Sequence, residues 1–177
     1  MRATGIVRRI DELGRVVIPK EIRRTQRIHS GDALEIFTDG KGEVVFKKYS
    51  PLAELGEPAA AYADVLARRL GCGVAVCDRE KIVAAAGAGR SELLGEPLPP
   101  ELDALLARRK LYTAPEEPLH RVAWGSRWLL CAAPVLVHGD IEGGVLLPGM
   151  RRDAVPDPET IRAAATAAEF LARWMGE

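Results

Sequence analysis

The residues best placed to do chemistry in this chain are seven cations between positions 8 and 27: Arg8, Arg9, Arg15, Lys20, Arg23, Arg24 and Arg27. Six of the seven are arginines, and a guanidinium is a planar fork suited to bidentate grips on phosphate or on guanine edges. Phosphate contacts from such a set would supply most of the affinity for a duplex and make it steeply salt-dependent. On spacing alone a second account is open, in which these arginines form a solvated face offset by Asp11, Glu12 and Glu21. Charge leans mildly toward the first. Residues 1–50 hold 11 Lys/Arg against 7 Asp/Glu, a net of +4, while residues 51–177 hold 14 against 18, a net of −4. A basic segment joined to an acidic one fits a nucleic-acid module attached to a part that need not touch phosphate.

Other chemistry is thin. His29, His120 and His138 stand isolated, with no metal-ligand spacing around them. Cys72, Cys77 and Cys131 are odd in number and sit in apolar surroundings, as expected of reduced core thiols in a cytosolic protein. The stretch Gly87-Ala88-Gly89-Arg90-Ser91 lacks the Lys-Ser/Thr ending of a phosphate loop. Neither a catalytic residue, a metal nor a cofactor is expected, and the chain does not read as an enzyme. Apolar runs such as Leu129 to Val137 are far short of the ~20 residues a membrane helix needs, so no membrane partner is expected either.

The elements that must position the cations are short. Ile6 to Ile10 and Arg15 to Ile18 read as strands around a turn at Asp11–Gly14, and Pro19 starts a short helix through Thr25. Arg15, beside the tight Gly14 turn, is the first choice for a base-edge contact, while Arg23 and Arg24 suit either bases or phosphates. Ala33 to Phe37 and Glu43 to Lys47 form a hairpin around Asp39-Gly40-Lys41-Gly42. One face of that hairpin carries Leu34, Ile36, Val44 and Phe46, and the first pair of strands adds Ile6, Val16 and Ile18. Fifty residues bury too little surface to be comfortably stable alone, and a dimer that pools these faces solves the shortage.

The seam falls at Tyr49-Ser50-Pro51, so residues 1–50 make one domain, 51–55 a linker or helix start, and 56–177 a second domain. In the second, Leu52 to Leu70 reads as a helix by its three- and four-residue apolar steps, with Glu57-Pro58 either starting a fresh turn or kinking it. Strands follow at Gly73–Asp78 and Lys81–Ala86, then a helical turn at Ser91–Leu94 and a helix from Pro100 to about Lys110. Residues 112–119 read as loop. Strands at Arg121–Trp124, Trp128–Val137 and Ile141–Leu147 precede a final helix capped by Asp157 and ending near Trp174. Helices at both ends sharing one face of an antiparallel sheet describe an α+β domain.

Residues 3–49, ATGIVRRIDELGRVVIPKEIRRTQRIHSGDALEIFTDGKGEVVFKKY, closely resemble the AbrB-type swapped-hairpin domain of bacterial transition-state regulators. The match is densest over TGIVRRIDELGRVVIPKEIRRT and DALEIF. It is looser beyond, in KKYSPLAELG, VCDRE and AAEFLARWM, where the chain resembles regulators whose remainder is a GAF domain. The resemblance implies a small all-β barrel in which hairpins of two chains interleave. It also implies contact with double-stranded DNA through Arg8, Arg15, Arg23 and Arg24, with Arg9 where relatives carry a basic residue; Lys20 belongs to the same basic set. Without a long recognition helix, such a surface is expected to enter the major groove by loops and short helices. Much of its selectivity would come from DNA shape, at degenerate A·T-rich sites.

For the second domain the GAF resemblance implies a pocket between the sheet and its small helices, open to an unidentified small effector. Its walls would be Val76, Ala84, Ala86, Leu94, Leu102, Leu105, Trp128, Leu130 and Val145, with Arg90 and Ser91 at the mouth; plain core is the alternative for the same residues. Alanines such as Ala60, Ala63, Ala67, Ala163, Ala165 and Ala168 would let the end helices pair across chains and turn dimers into a homotetramer. The function implied is sequence-selective activation or repression of sporulation genes, in the cytoplasm and on the nucleoid of the forespore. An architectural DNA-binding protein with little sequence preference is the competing account.

Overall fold

The protein is described by a computed structural model over residues 4–115 and 122–176, so His120, Arg121 and the 116–119 part of the expected loop lie outside the described residues. The chain divides into two compact units between Tyr49 and Ser50. The Tyr49 N–H donates to the Ala33 carbonyl at 3.0 Å within the first unit, and the Ser50 hydroxyl donates to Asp78 at 3.0 Å within the second.

In the first unit, helix α1 (Lys20–Thr25) precedes strands β1 (Leu34–Thr38) and β2 (Val44–Lys48), which pair antiparallel with Ile36 opposite Phe46 and Thr38 opposite Val44. The hairpin turn is held by Asp39, whose Oδ1 accepts from the N–H groups of Lys41 and Glu43. Residues 6–10 and 15–18, expected as strands, carry no ladder within the single chain. They flank the expected turn, where Asp11 N–H donates to the Arg15 carbonyl at 3.0 Å and Gly14 takes φ 75°. Val7 is 85% exposed and Val17 72% exposed. A strand needs a neighbour to be a strand, and segments that find theirs in a second chain look like this when one chain is taken alone.

The second unit begins with α2 (Pro51–Glu54) and α3 (Gly56–Leu70). Of the two outcomes expected at Glu57-Pro58, a fresh start is the one observed, and the break at Leu55 has a local cause: Pro58, which lacks an N–H, is tolerated only in the first turn of a helix. Ser50 caps α2 by accepting from the Ala53 N–H, and α2 packs into this unit through the fully buried Leu52. Gly71, at φ 63°, ends α3 in the left-handed conformation.

Strands β3 (Val74–Cys77), β4 (Ile82–Ala86), β5 (Tyr112–Thr113), β6 (Ala123–Trp124), β7 (Arg127–Val137) and β8 (Asp140–Gly149) form one antiparallel sheet in the order β4-β3-β8-β7-β5, with β6 paired to β7. Strand β5 falls where a loop was expected. Two residues carry no periodicity, and only their pairing with Ala132 and Cys131 makes them a strand. Short helices α4 (Arg90–Leu93) and α5 (Pro100–Leu106) cover one face, while α3 and α6 (Pro158–Gly176) cover the other. Asp157 caps α6 as expected, its Oδ1 accepting from the Thr160 N–H at 2.8 Å.

Alternation along the strands sorts the core into two layers. Val74, Val76, Cys131, Ala133, Val135, Val145 and Leu147 meet the long helices, and Ala75, Cys77, Ala132 and Leu146 meet the short ones. Of the alanines expected to join chains, Ala63, Ala67 and Ala168 are buried against this chain's own sheet. Small side chains there bring helix and sheet close together.

Candidate nucleic-acid interface

The first unit holds its cations in two places. The first is the turn from Asp11 to Arg15. Asp11 Oδ1 accepts from the N–H groups of Leu13 at 3.0 Å and Arg15 at 2.8 Å, and Oδ2 accepts from Arg15 Nε at 2.8 Å. These contacts, the Arg15 N–H first and its guanidinium second, hold the Asp11 carboxyl below the usual carboxylate range. Arg8 and Arg9 approach the turn from one side, with Arg15 on the other, all three exposed.

The second place is α1. Pro19 enters it with a fixed φ of −57° and is itself buried. Lys20, Arg23 and Arg24 are exposed along it. The helix ends in paired bonds, Ile28 N–H to the Arg23 carbonyl at 2.7 Å and Arg27 N–H to the Arg24 carbonyl at 3.3 Å, with Arg27 in the left-handed conformation at φ 52°. This is the usual helix-ending motif with arginine where glycine is common. The loop behind it is tied to β2, because Lys48 Nζ donates to the Arg27 carbonyl and lies 3.7 Å from Asp32, which also accepts from the His29 N–H. Sequence reasoning passed over Lys48, since a lysine at a strand end has no marked role until the loop returns to it.

Of the acids that the solvated-face account sets against these arginines, Asp11 pairs with Arg15. Among the described residues, Arg8, Arg9, Lys20, Arg23 and Arg24 have no carboxylate within 4.0 Å, and Arg15 alone of the expected set is paired. An exposed cation with no internal partner is free to meet an external anion.

The expected pocket of the second unit does not assemble. Val76, Ala84, Ala86, Val145 and Leu130 face the long helices, whereas Leu102 and Leu105 lie across the sheet under the short ones. Leu94 is 49% exposed, Arg90 and Ser91 are exposed, and Trp128 lies half-buried beneath the Arg152 guanidinium at 4.9 Å. The strand residues chosen were one position out of step with the face that the short helices cover. Ala75, Cys77, Ile82, Ala85, Leu129, Ala132 and Leu146 occupy that face. The thiols are no better suited to chemistry. Burial pushes Cys77 far above the ordinary thiol range and Cys131 up to about 12. No group of three His, Cys, Asp or Glu residues that could hold a metal occurs among the described residues. No helix among them is long and apolar enough to cross a membrane.

Comparison with known proteins agrees with this division. Residues 54–176 match the family described as stage V sporulation protein T C-terminal, transcription factor, and residues 7–53 match that of the antidote-toxin recognition protein MazE, a bacterial antitoxin. The chain is 41% identical over 186 residues to stage V sporulation protein T of Bacillus subtilis strain 168, covering 99% of each chain. It is 59% identical over 51 residues to the transition state regulatory protein AbrB of the same organism, covering 29% of this chain and 52% of that one. The N-terminal domain of AbrB has been solved as a DNA recognition domain (TM-score 0.26 over the present chain). A type II free methionine-R-sulfoxide reductase from Thermoplasma acidophilum, 14% identical with a TM-score of 0.53 over 70% of this chain and 94% of its own, shares the fold alone. With a family match over most of its length and a near full-length relative, the chain belongs to the stage V sporulation protein T family of transcription factors.

Proposed function

We propose that the protein is a sequence-selective DNA-binding regulator of sporulation genes, gripping double-stranded DNA through an interleaved dimer of its first unit. The observation that carries this reading is the set of exposed arginines without internal partners, standing on a module 59% identical to the matching part of AbrB. Arg8, Arg9, Arg15, Lys20, Arg23 and Arg24 are the contact residues, doubled by the two-fold axis of the dimer. Its site of action is the nucleoid of the developing spore. The test is retention of a promoter fragment against random competitor DNA at several salt concentrations. A specificity ratio near one would favour an architectural protein instead. Arg24→Ala is expected to weaken binding to all sequences alike and to lower the slope of log affinity against log salt by about one, as for a phosphate contact.

The second unit we read as the oligomerisation domain, joining dimers into a tetramer. Support comes from the outer side of its long helices. Tyr62 stacks on Phe170 at 4.7 Å, Phe170 lies 5.5 Å from Trp174, and Val65 and Trp174 are 60% and 52% exposed. An aromatic row of this kind on an exposed helix face is surface that association would bury. Trp174→Ala combined with Phe170→Ala is expected to halve the mass measured by light scattering. An unchanged mass would place the tetramer contact elsewhere.

A further inference from the structure

We propose that Asp11 is a specificity-determining positioning residue, which orients Arg15 for base reading and disfavours indiscriminate binding to phosphate. The proposal rests on the DNA-reading function above. Its observation is the division of labour within one carboxylate. Oδ1 holds the turn through the N–H groups of Leu13 and Arg15, while Oδ2 takes Arg15 Nε at 2.8 Å. A guanidinium has five N–H donors, and engagement at Nε leaves the two terminal nitrogens as a free edge. That edge matches the O6 and N7 acceptors of guanine in the major groove. The Arg15 side chain is 71% exposed, so without Asp11 nothing at the turn would restrict its rotamers. Holding it reduces the ordering cost at the moment of binding.

The same carboxylate has a second effect. It sets one negative charge per chain among Arg8, Arg9 and Arg15, where a duplex backbone would approach. That charge opposes binding to phosphate in general, and a bidentate contact by a correctly aimed Arg15 offsets it. Asp11 thus separates right sites from wrong ones from both directions. Its charge is available throughout the neutral range, since the carboxyl is held below its ordinary value.

The test uses the full-length protein with the Asp11→Asn variant, a duplex bearing a selected site and a shuffled duplex of the same composition. The asparagine oxygen still accepts the two backbone N–H groups, so the turn is kept, but its amide nitrogen faces Arg15 Nε donor to donor. Affinity for the selected site is expected to fall, affinity for the shuffled duplex to rise about two- to threefold, and their ratio to drop about tenfold or more. In an Arg15→Ala background, Asp11→Asn is expected to leave the ratio unchanged. A ratio that survives in Asp11→Asn overturns the role of Asp11. So does a parallel loss on both duplexes, which is what a merely structural residue would show. A wild-type ratio near one would instead overturn the DNA-reading function itself.

Discussion

Ile36→Asp is expected to abolish retention of DNA, with affinity falling more than about a thousandfold, while the second unit keeps its own thermal transition. Ile36 lies opposite Phe46 on the hairpin, beside Val44 and Leu34, and this face has little to rest on within its own chain. Ile36 is 61% exposed, Val44 57% and Phe46 40%. Burying such a side chain stabilises by about 1.5–3 kcal/mol, and a two-fold dimer buries it twice. Aspartate forfeits that contribution and sets an unpaired carboxylate in each half of the shared interior, at a further cost of several kcal/mol. A fifty-residue unit has no reserve of that size. The cations of α1 and of the Asp11 turn would remain in the chain but lose their fixed spacing across the dimer axis. Filter retention at low salt, with sedimentation to report association and circular dichroism to report the β-content, checks each part. Retention at wild-type strength would mean that this face is not the dimer interior.

The elements of this protein were legible in its sequence to the extent that they are local. Helix α1 follows from Pro19, the β1–β2 hairpin from Asp39-Gly40-Lys41-Gly42, and the start of α6 from Asp157, because proline, turn glycines and a capping carboxylate act within a few residues of themselves. What was misread depends on partners distant in sequence. Strand β5 exists because β7 lies beside it, and residues 6–10 and 15–18 carry no ladder within the single chain. The pocket walls were misassigned for a related reason: a period of two shows which residues share a face without showing which face the helices cover. At the DNA-binding surface the arginines stood out by type and crowding. The coupling of Asp11 to Arg15 did not, since a formal charge count treats that pair as simple cancellation. Only the turn geometry shows one oxygen accepting from backbone N–H groups and the other from the Arg15 guanidinium.

Gly143→Ala is expected to destabilise the second unit by about 3 kcal/mol or more and to lower its melting temperature by roughly 10 °C. A Cβ at this position would lie 1.9 Å from the Cys77 carbonyl oxygen, 2.9 Å from the Asp78 Cα and 2.6 Å from Leu52 Cδ1. Two of those atoms are backbone and cannot turn aside, so β8 must move away from the end of β3. The third belongs to a fully buried residue of α2. Two other glycines provide the contrast. At Gly144 the new methyl would meet Leu106 Cδ2 at 2.6 Å, the end of a flexible side chain, so a cost nearer 1–2 kcal/mol is expected there. At Gly40 nothing lies within 4 Å, and alanine should be close to neutral. A melting series on these three variants separates backbone collision from side-chain crowding, and equal shifts at 143 and 144 would contradict the argument.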